Sequence, residues 1–149
     1  MDKRFPEDIV VRFNYLPTLR AQLALNTPDG AAKAVEALAA ATPYELGVPG
    51  NSMFWTNLYP IYVRGQALLA SRQGTQAAGE FQKVLDYPGV AVNEPIGALA
   101  HLGLARAYTL AGDAAKSRAA YNSFFTLWKD ADPEIPILIA AKSEYANLH

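Results

Sequence analysis

Apolar residues recur along this chain at three- and four-residue spacing, in paired stretches separated by turns that carry glycine or proline. That rhythm predicts helices with one buried face. The clearest pair runs from Ile96 to Trp128. Leu104-Ala105-Arg106-Ala107-Tyr108 leads to a Gly112-Asp113 turn, after which Ser117, Tyr121 and Phe124 continue the pattern. A second pair carries Gly65, Leu68, Gly74, Ala77, Phe81 and Val84, and a fainter one carries Ala21, Leu25, Gly30, Ala34, Leu38 and Ala41. Helix pairs written several times over usually stack into a binding surface rather than a reaction vessel.

The elements follow from this rhythm and its interruptions. Pro6-Glu7-Asp8 predicts a helix start, and Ile9, Val10, Phe13, Leu16 and Leu19 form its stripe. Pro17 lies inside that stripe and predicts either a kink or a fresh start. Asn26 to Gly30 is turn chemistry, and Ala31 to Ala41 is the return helix. Thr42 to Asn51 reads as a loop. Ser52 to Arg72, with Pro60 inside it, and Thr75 to Leu85 are the second pair. Asp86 to Asn93 reads as a loop around Pro88-Gly89. Pro95 to Leu110 and Ala114 to Trp128 are the third pair. A last helix, Pro136 to Leu148, shows the stripe Leu138, Ala141, Tyr145 and Leu148 and is expected to cap the others. The expectation is one all-α domain over 1–149. Its repeats span about 7–42, 52–86 and 95–128, with the cap at about 136–148. The first turn holds one extra residue. Gly65, Gly97 and Gly103 are expected where helices approach closely.

Several segments resemble the tetratricopeptide repeat (TPR) family. They are Arg4-Phe5-Pro6-Glu7-Asp8, Tyr15-Leu16-Pro17-Thr18-Leu19-Arg20-Ala21, Leu58-Tyr59-Pro60-Ile61-Tyr62-Val63-Arg64-Gly65-Gln66-Ala67, Pro95-Ile96-Gly97-Ala98-Leu99-Ala100-His101-Leu102-Gly103-Leu104 and Leu127-Trp128-Lys129-Asp130-Ala131-Asp132-Pro133. They look most like the C-terminal repeat region of large multidomain bacterial proteins such as eukaryotic-like serine/threonine kinases. The copies are 43 residues (Ala34 to Ala77) and 40 residues (Ala77 to Ser117) apart, longer than the roughly 34 of a TPR. The excess is assigned to the loops. The resemblance implies an α-solenoid of three hairpins and a cap, wound as a right-handed superhelix with a concave groove. It also implies a non-catalytic protein–protein interaction module from a larger signalling protein, with Met1 an engineered start. A self-association or regulatory domain of such a kinase, or a small-molecule sensor, stays as the alternative.

Composition narrows the classes. Ala supplies 27 positions, which favours closely packed helices. The net charge of −1 and the scattered Lys and Arg give no electrostatic pull toward nucleic acid or an anionic membrane. No Cys means no disulfide, thiolate metal site or thiol catalysis. No apolar run reaches the roughly 20 residues of a membrane span, and Met1 to Pro6 holds no apolar signal segment, so a soluble chain is expected; its expected location is cytoplasmic, with a membrane-anchored parent carrying this domain on either side as the alternative. No Gly-rich phosphate loop, His-Arg-Asp, Asp-Phe-Gly or Gly-x-Ser-x-Gly motif occurs, and neither catalytic residues nor a cofactor is expected.

The candidate partner-binding residues are Arg20, Gln22, Tyr59, Tyr62, Arg64, Gln66 and Arg106. Arg20-Ala21-Gln22 and Arg64-Gly65-Gln66 are the same tripeptide pattern 44 residues apart. With Arg106 near the matching place in the third outgoing helix, they predict a ladder lining one surface. There, planar guanidinium forks would grip carboxylates or phosphates; the plainer reading is solvation or salt bridges within the stack. Phe54, Trp55, Tyr59 and Tyr62 cluster at the second outgoing helix, as anchors or as core. Asp130 to Glu134 opens like a calcium loop but has Ile135 and Ala141 where Gly and Glu belong, and reads as a helix cap before proline. His101 has no partner at metal-ligand spacing and reads as structural. Ile9, Val10 and Phe13 are expected to form an uncovered end that packs on an upstream repeat or another copy. The partner is a protein or peptide, with a homo-oligomer as a second expectation.

Overall fold

The computed structural model describes residues 7–47, 57–91 and 94–148. Among these residues there is no strand: eight α-helices pack on one another. They are α1 (Leu16–Leu25), α2 (Gly30–Leu38), α3 (Tyr59–Ala70), α4 (Gly74–Asp86), α5 (Pro88–Ala91), α6 (Ile96–Leu110), α7 (Ala114–Leu127) and α8 (Pro136–Ala146). No helix among the described residues is long and apolar enough to cross a membrane.

Proline starts helices here rather than breaking them. Pro60 and Pro136 stand in the first turns of α3 and α8, where no N–H is needed. Pro17 likewise sits in the first turn of α1, but α1 runs on directly from a π-helical stretch, Val11–Tyr15. Asp8 accepts a hydrogen bond from the Val11 N–H at 3.0 Å and starts this segment. The short α5 replaces part of the loop expected around Pro88-Gly89: proline at a first helical position favours a turn of helix as readily as a loop.

Among the described residues three tight hairpins stand in succession: α1–α2, α3–α4 and α6–α7. The links in α3–α4 and α6–α7 are Ser71–Gln73 and Ala111–Asp113, closed alike by Gln73 N–H to Leu68 O and Asp113 N–H to Tyr108 O, 2.8 and 2.9 Å. Gly112 takes the left-handed conformation that such a turn requires (φ 81°), and Arg72 takes it in the other copy (φ 57°). The α1–α2 link, Asn26 to Asp29, is one residue longer, as the sequence indicates. Beyond the hairpins, α2 packs on α3 and α4 on α6, while α1 meets α3 and α3 meets α6. The outgoing helices α1, α3 and α6 thus lie side by side.

The returning helices carry the core in register. Ala34, Ala77 and Ser117 are buried, as are Leu38, Phe81 and Tyr121, and Ala41, Val84 and Phe124. Opposite them stand small residues: Ala21, Gly65 and Ala105, all buried. Ser117 satisfies its buried hydroxyl on the Ala105 carbonyl at 2.9 Å. Phe81 lies between two glycines. A Cβ at Gly65 would stand 2.8 Å from its ring, and one at Gly103 closer still. Gly97, by contrast, has open space around it and marks no close approach. Gly103→Leu is therefore expected to cost about 1–3 kcal/mol by overpacking. Gly97→Ala should be neutral or stabilising by up to about 1 kcal/mol. Urea unfolding followed by circular dichroism checks both. At the end of the chain Leu138 and Ala141 of α8 are buried, and Tyr145 and Leu148 pack beside them, as their stripe predicts.

Candidate partner-binding face

Spacing within the hairpins fixes how the outgoing helices align. Gly65 and Ala105 each precede the small residue of their return helix by 12 positions (Ala77, Ser117), and Ala21 precedes Ala34 by 13 because of the longer turn. Ala21, Gly65 and Ala105 are thus equivalent. It follows that Gln22, Gln66 and Arg106 share one register, and Arg20, Arg64 and Leu104 another. Arg106 is the counterpart of the glutamines, not of Arg64.

The two rows have different environments. Arg64 is 9% exposed and inward-facing. Its guanidinium meets Glu45 at 2.6 Å, Glu80 at 2.8 Å, Thr42 Oγ1 at 3.2 Å and the Leu38 carbonyl at 3.4 Å. Burial pulls its pKa down, but the hydrogen bonds and charges of Glu45 and Glu80 outweigh this and raise it. Arg64 ties the end of the first hairpin to α3 and α4 and is not open to a partner. The expected ladder of three arginines does not form, because two carboxylates give this one a better environment inside.

Arg20 and Gln22 are exposed. Gln66 is half-buried and donates to the Tyr62 hydroxyl at 3.4 Å. Tyr62 stands edge-on to Phe81, ring centroids 5.6 Å apart, so it serves core and surface together. Tyr59 is 40% exposed and donates to Glu94 at 2.9 Å. Partial burial, then that hydrogen bond, push its pKa up to about 12. Phe54 and Trp55 lie outside the described residues. Arg106 binds Glu144 of α8 through two hydrogen bonds, 2.8 and 2.9 Å, and Tyr121 donates to the same carboxylate at 2.8 Å. This latch is the salt bridge within the stack that the plainer reading of Arg106 expects, with a partner, Glu144, that is not among the candidate residues; it ties the last helix to α6 and α7.

Glu144 gives the latch a pH dependence. Burial alone would raise its pKa, but hydrogen bonds from Arg106 and Tyr121, with the Arg106 charge, bring it below the ordinary value. A folded-state pKa below the unfolded one means that the stabilisation is complete above the unfolded value of about 4.3. It is lost as pH falls through the lower folded value. Both side chains are about a third exposed, so solvent screening keeps the effect modest. Urea midpoints measured from pH 7 to pH 3 should fall less steeply in Glu144→Gln than in the parent chain.

The remaining candidates have other surroundings. His101 is half-buried, and burial lowers its pKa. It lines an open cleft of about 470 Å³ with Val84, Pro88, Glu94 and Trp128. A second cleft of about 360 Å³, between α7 and α8, is walled by Phe125, Trp128 and Leu138. Asp132 accepts the Glu134 N–H at 2.8 Å and closes a turn; the residue that caps α8 is Ile135, not this aspartate. Among the described residues no three His, Asp or Glu gather as a metal site. Phe13, expected at an open end, stacks on Tyr44 with centroids 4.6 Å apart, while Ile9 is exposed. Compared with known proteins, the chain matches no family model, no curated protein and no solved structure.

Proposed function

We propose that this chain is a tetratricopeptide-like helical stack that binds an extended protein segment along α1, α3 and α6, with no chemistry of its own. The observation that carries this reading is the shared register of Gln22, Gln66 and Arg106 on three outgoing helices that lie side by side. Each glutamine amide offers both a donor and an acceptor, which suits a peptide main chain. Tyr59 and Tyr62 add rigid aromatic surface next to that row, the residue type that most often anchors an interface. Arg106 is already neutralised by Glu144. The row therefore favours main-chain and aromatic contacts over the capture of an anion.

Selection of linear peptides from a displayed library on the immobilised chain tests this. Peptides held by the parent chain should be lost with Gln66→Lys and with Tyr59→Ala, and kept with Asn122→Lys on the exposed side of α7. A loss of about 1–2 kcal/mol or more per contact residue is expected. Peptides indifferent to the first two variants, or none retained by a folded chain, would count against the groove.

A further inference from the structure

Among the described residues, the acids that are wholly or partly buried are Glu45, Glu80, Glu94, Asp113 and Glu144. All but Glu94 hold a cation. Glu45 and Glu80 meet Arg64 at 2.6 and 2.8 Å, Asp113 meets Lys116 at 2.9 Å, and Glu144 meets Arg106 at 2.8 Å. Glu94 accepts the Tyr59 hydroxyl at 2.9 Å but forms no ion pair among the described residues. Its own stretch supplies none, because no Lys or Arg occurs between Lys83 and Arg106. The amino end of α6 favours a negative charge nearby, but its cap makes no side-chain hydrogen bond. A half-buried carboxylate in this position gives up hydration without gaining a counter-charge.

Glu94 lines the open cleft of about 470 Å³, a size that suits a small organic ligand. The walls are mostly apolar and come from several helices: Val84 of α4, Pro88 of α5, His101 of α6 and Trp128 just past α7. Glu94 is the one acid among these lining residues, and no Lys or Arg joins it. Burial lowers the His101 pKa, so its imidazole is neutral at pH 7 and adds no competing charge. That ring makes no hydrogen bond among the described residues, which leaves its nitrogens open to a ligand. Trp128 offers the aromatic face that best attracts a cation. We propose that this cleft binds an organic ammonium, a protonated amine on an aromatic or branched apolar body, with the cation on Glu94 and the body against Trp128, Val84 and Pro88. An organic anion would meet Glu94 with no cation to offset it. The site goes beyond the peptide groove and stands independently of it: Gln22, Gln66 and Arg106 do not line the cleft.

Phenethylamine is the probe, with phenethyl alcohol and hydrocinnamate as its neutral and anionic counterparts. Titration of the full chain followed by NMR reads the His101 ring and the Trp128 indole N–H directly. Phenethylamine should shift both, with the α2 amides unmoved. It should bind about tenfold more tightly than phenethyl alcohol, the worth of one hydrogen-bonded charge. Hydrocinnamate should bind more weakly than the alcohol. Glu94→Gln keeps an acceptor for Tyr59 and should bring the amine to the affinity of the alcohol. Gly97→Leu is an independent check. Gly97 lines the cleft with open space around it, so the added side chain fits the fold and should block amine and alcohol alike. Equal affinity for the three probes would overturn the proposal. So would amine binding that survives either variant, or unshifted His101 and Trp128 signals under a large excess of the amine.

Discussion

Phe81→Ala is expected to lower stability by about 3–5 kcal/mol, the cost of deleting a large side chain from a site that cannot collapse. Phe81 is fully buried and touches two hairpins, lying on Gly65 of α3 and Gly103 of α6. The flanking helices have no side chain at those positions to fill the void. A double-mutant cycle isolates the contact. Gly103→Ala should be costly in the parent chain and much less so beside Phe81→Leu, giving a coupling of about 1 kcal/mol or more. Urea unfolding gives all four values. A loss below about 1 kcal/mol for Phe81→Ala would mean that this ring does not join the second and third hairpins.

Arg64→Met should cost a comparable amount, about 3–5 kcal/mol, because it strands buried Glu45 without its cation, while Glu80 keeps only the half-exposed Lys83 at 2.7 Å. The network itself need not be stabilising relative to an apolar substitute. Arg64→Met combined with Glu45→Gln and Glu80→Gln should therefore recover at least half of the loss. The equivalent change at exposed Arg20 should stay within about 0.5 kcal/mol. Equal effects at Arg20 and Arg64 would contradict the buried role given to Arg64. The comparison also separates repeat position from environment: of two arginines in the same sequence pattern, Arg64 meets Glu45, Glu80 and Thr42, whereas Arg20 is exposed.

The hairpins are legible in the sequence because their signals are local. Gly112-Asp113 gives a turn, and Ala77, Phe81 and Val84, like Ser117, Tyr121 and Phe124, lie on one helical face. The alternation of helices, the closing stripe of α8 and the longer first turn follow from the same signals. The environment of Arg64 was not legible. Its principal partner, Glu45, sits in a proline- and glycine-bearing link with no periodicity to place it, and Glu80 lies on the far helix. The Arg106–Glu144 latch joins residues 38 apart through a helix whose position only packing decides. One signal was available: the 12-residue spacing from Gly65 to Ala77 and from Ala105 to Ser117 aligns Arg106 with Gln66. Resemblance between tripeptides points to Arg64 instead, because it ignores which residues must be small to let the helices meet.

The proposed binding row lies on α1, α3 and α6 together. Amide hydrogen exchange of the full chain, with and without a selected peptide, tests it most directly. Slowed exchange around Gln22, across Tyr62 to Gln66 and around Arg106, with α2, α4 and α7 unchanged, is the expected footprint. A footprint on the returning helices, or one limited to the clefts beside His101 or Phe125, would contradict it.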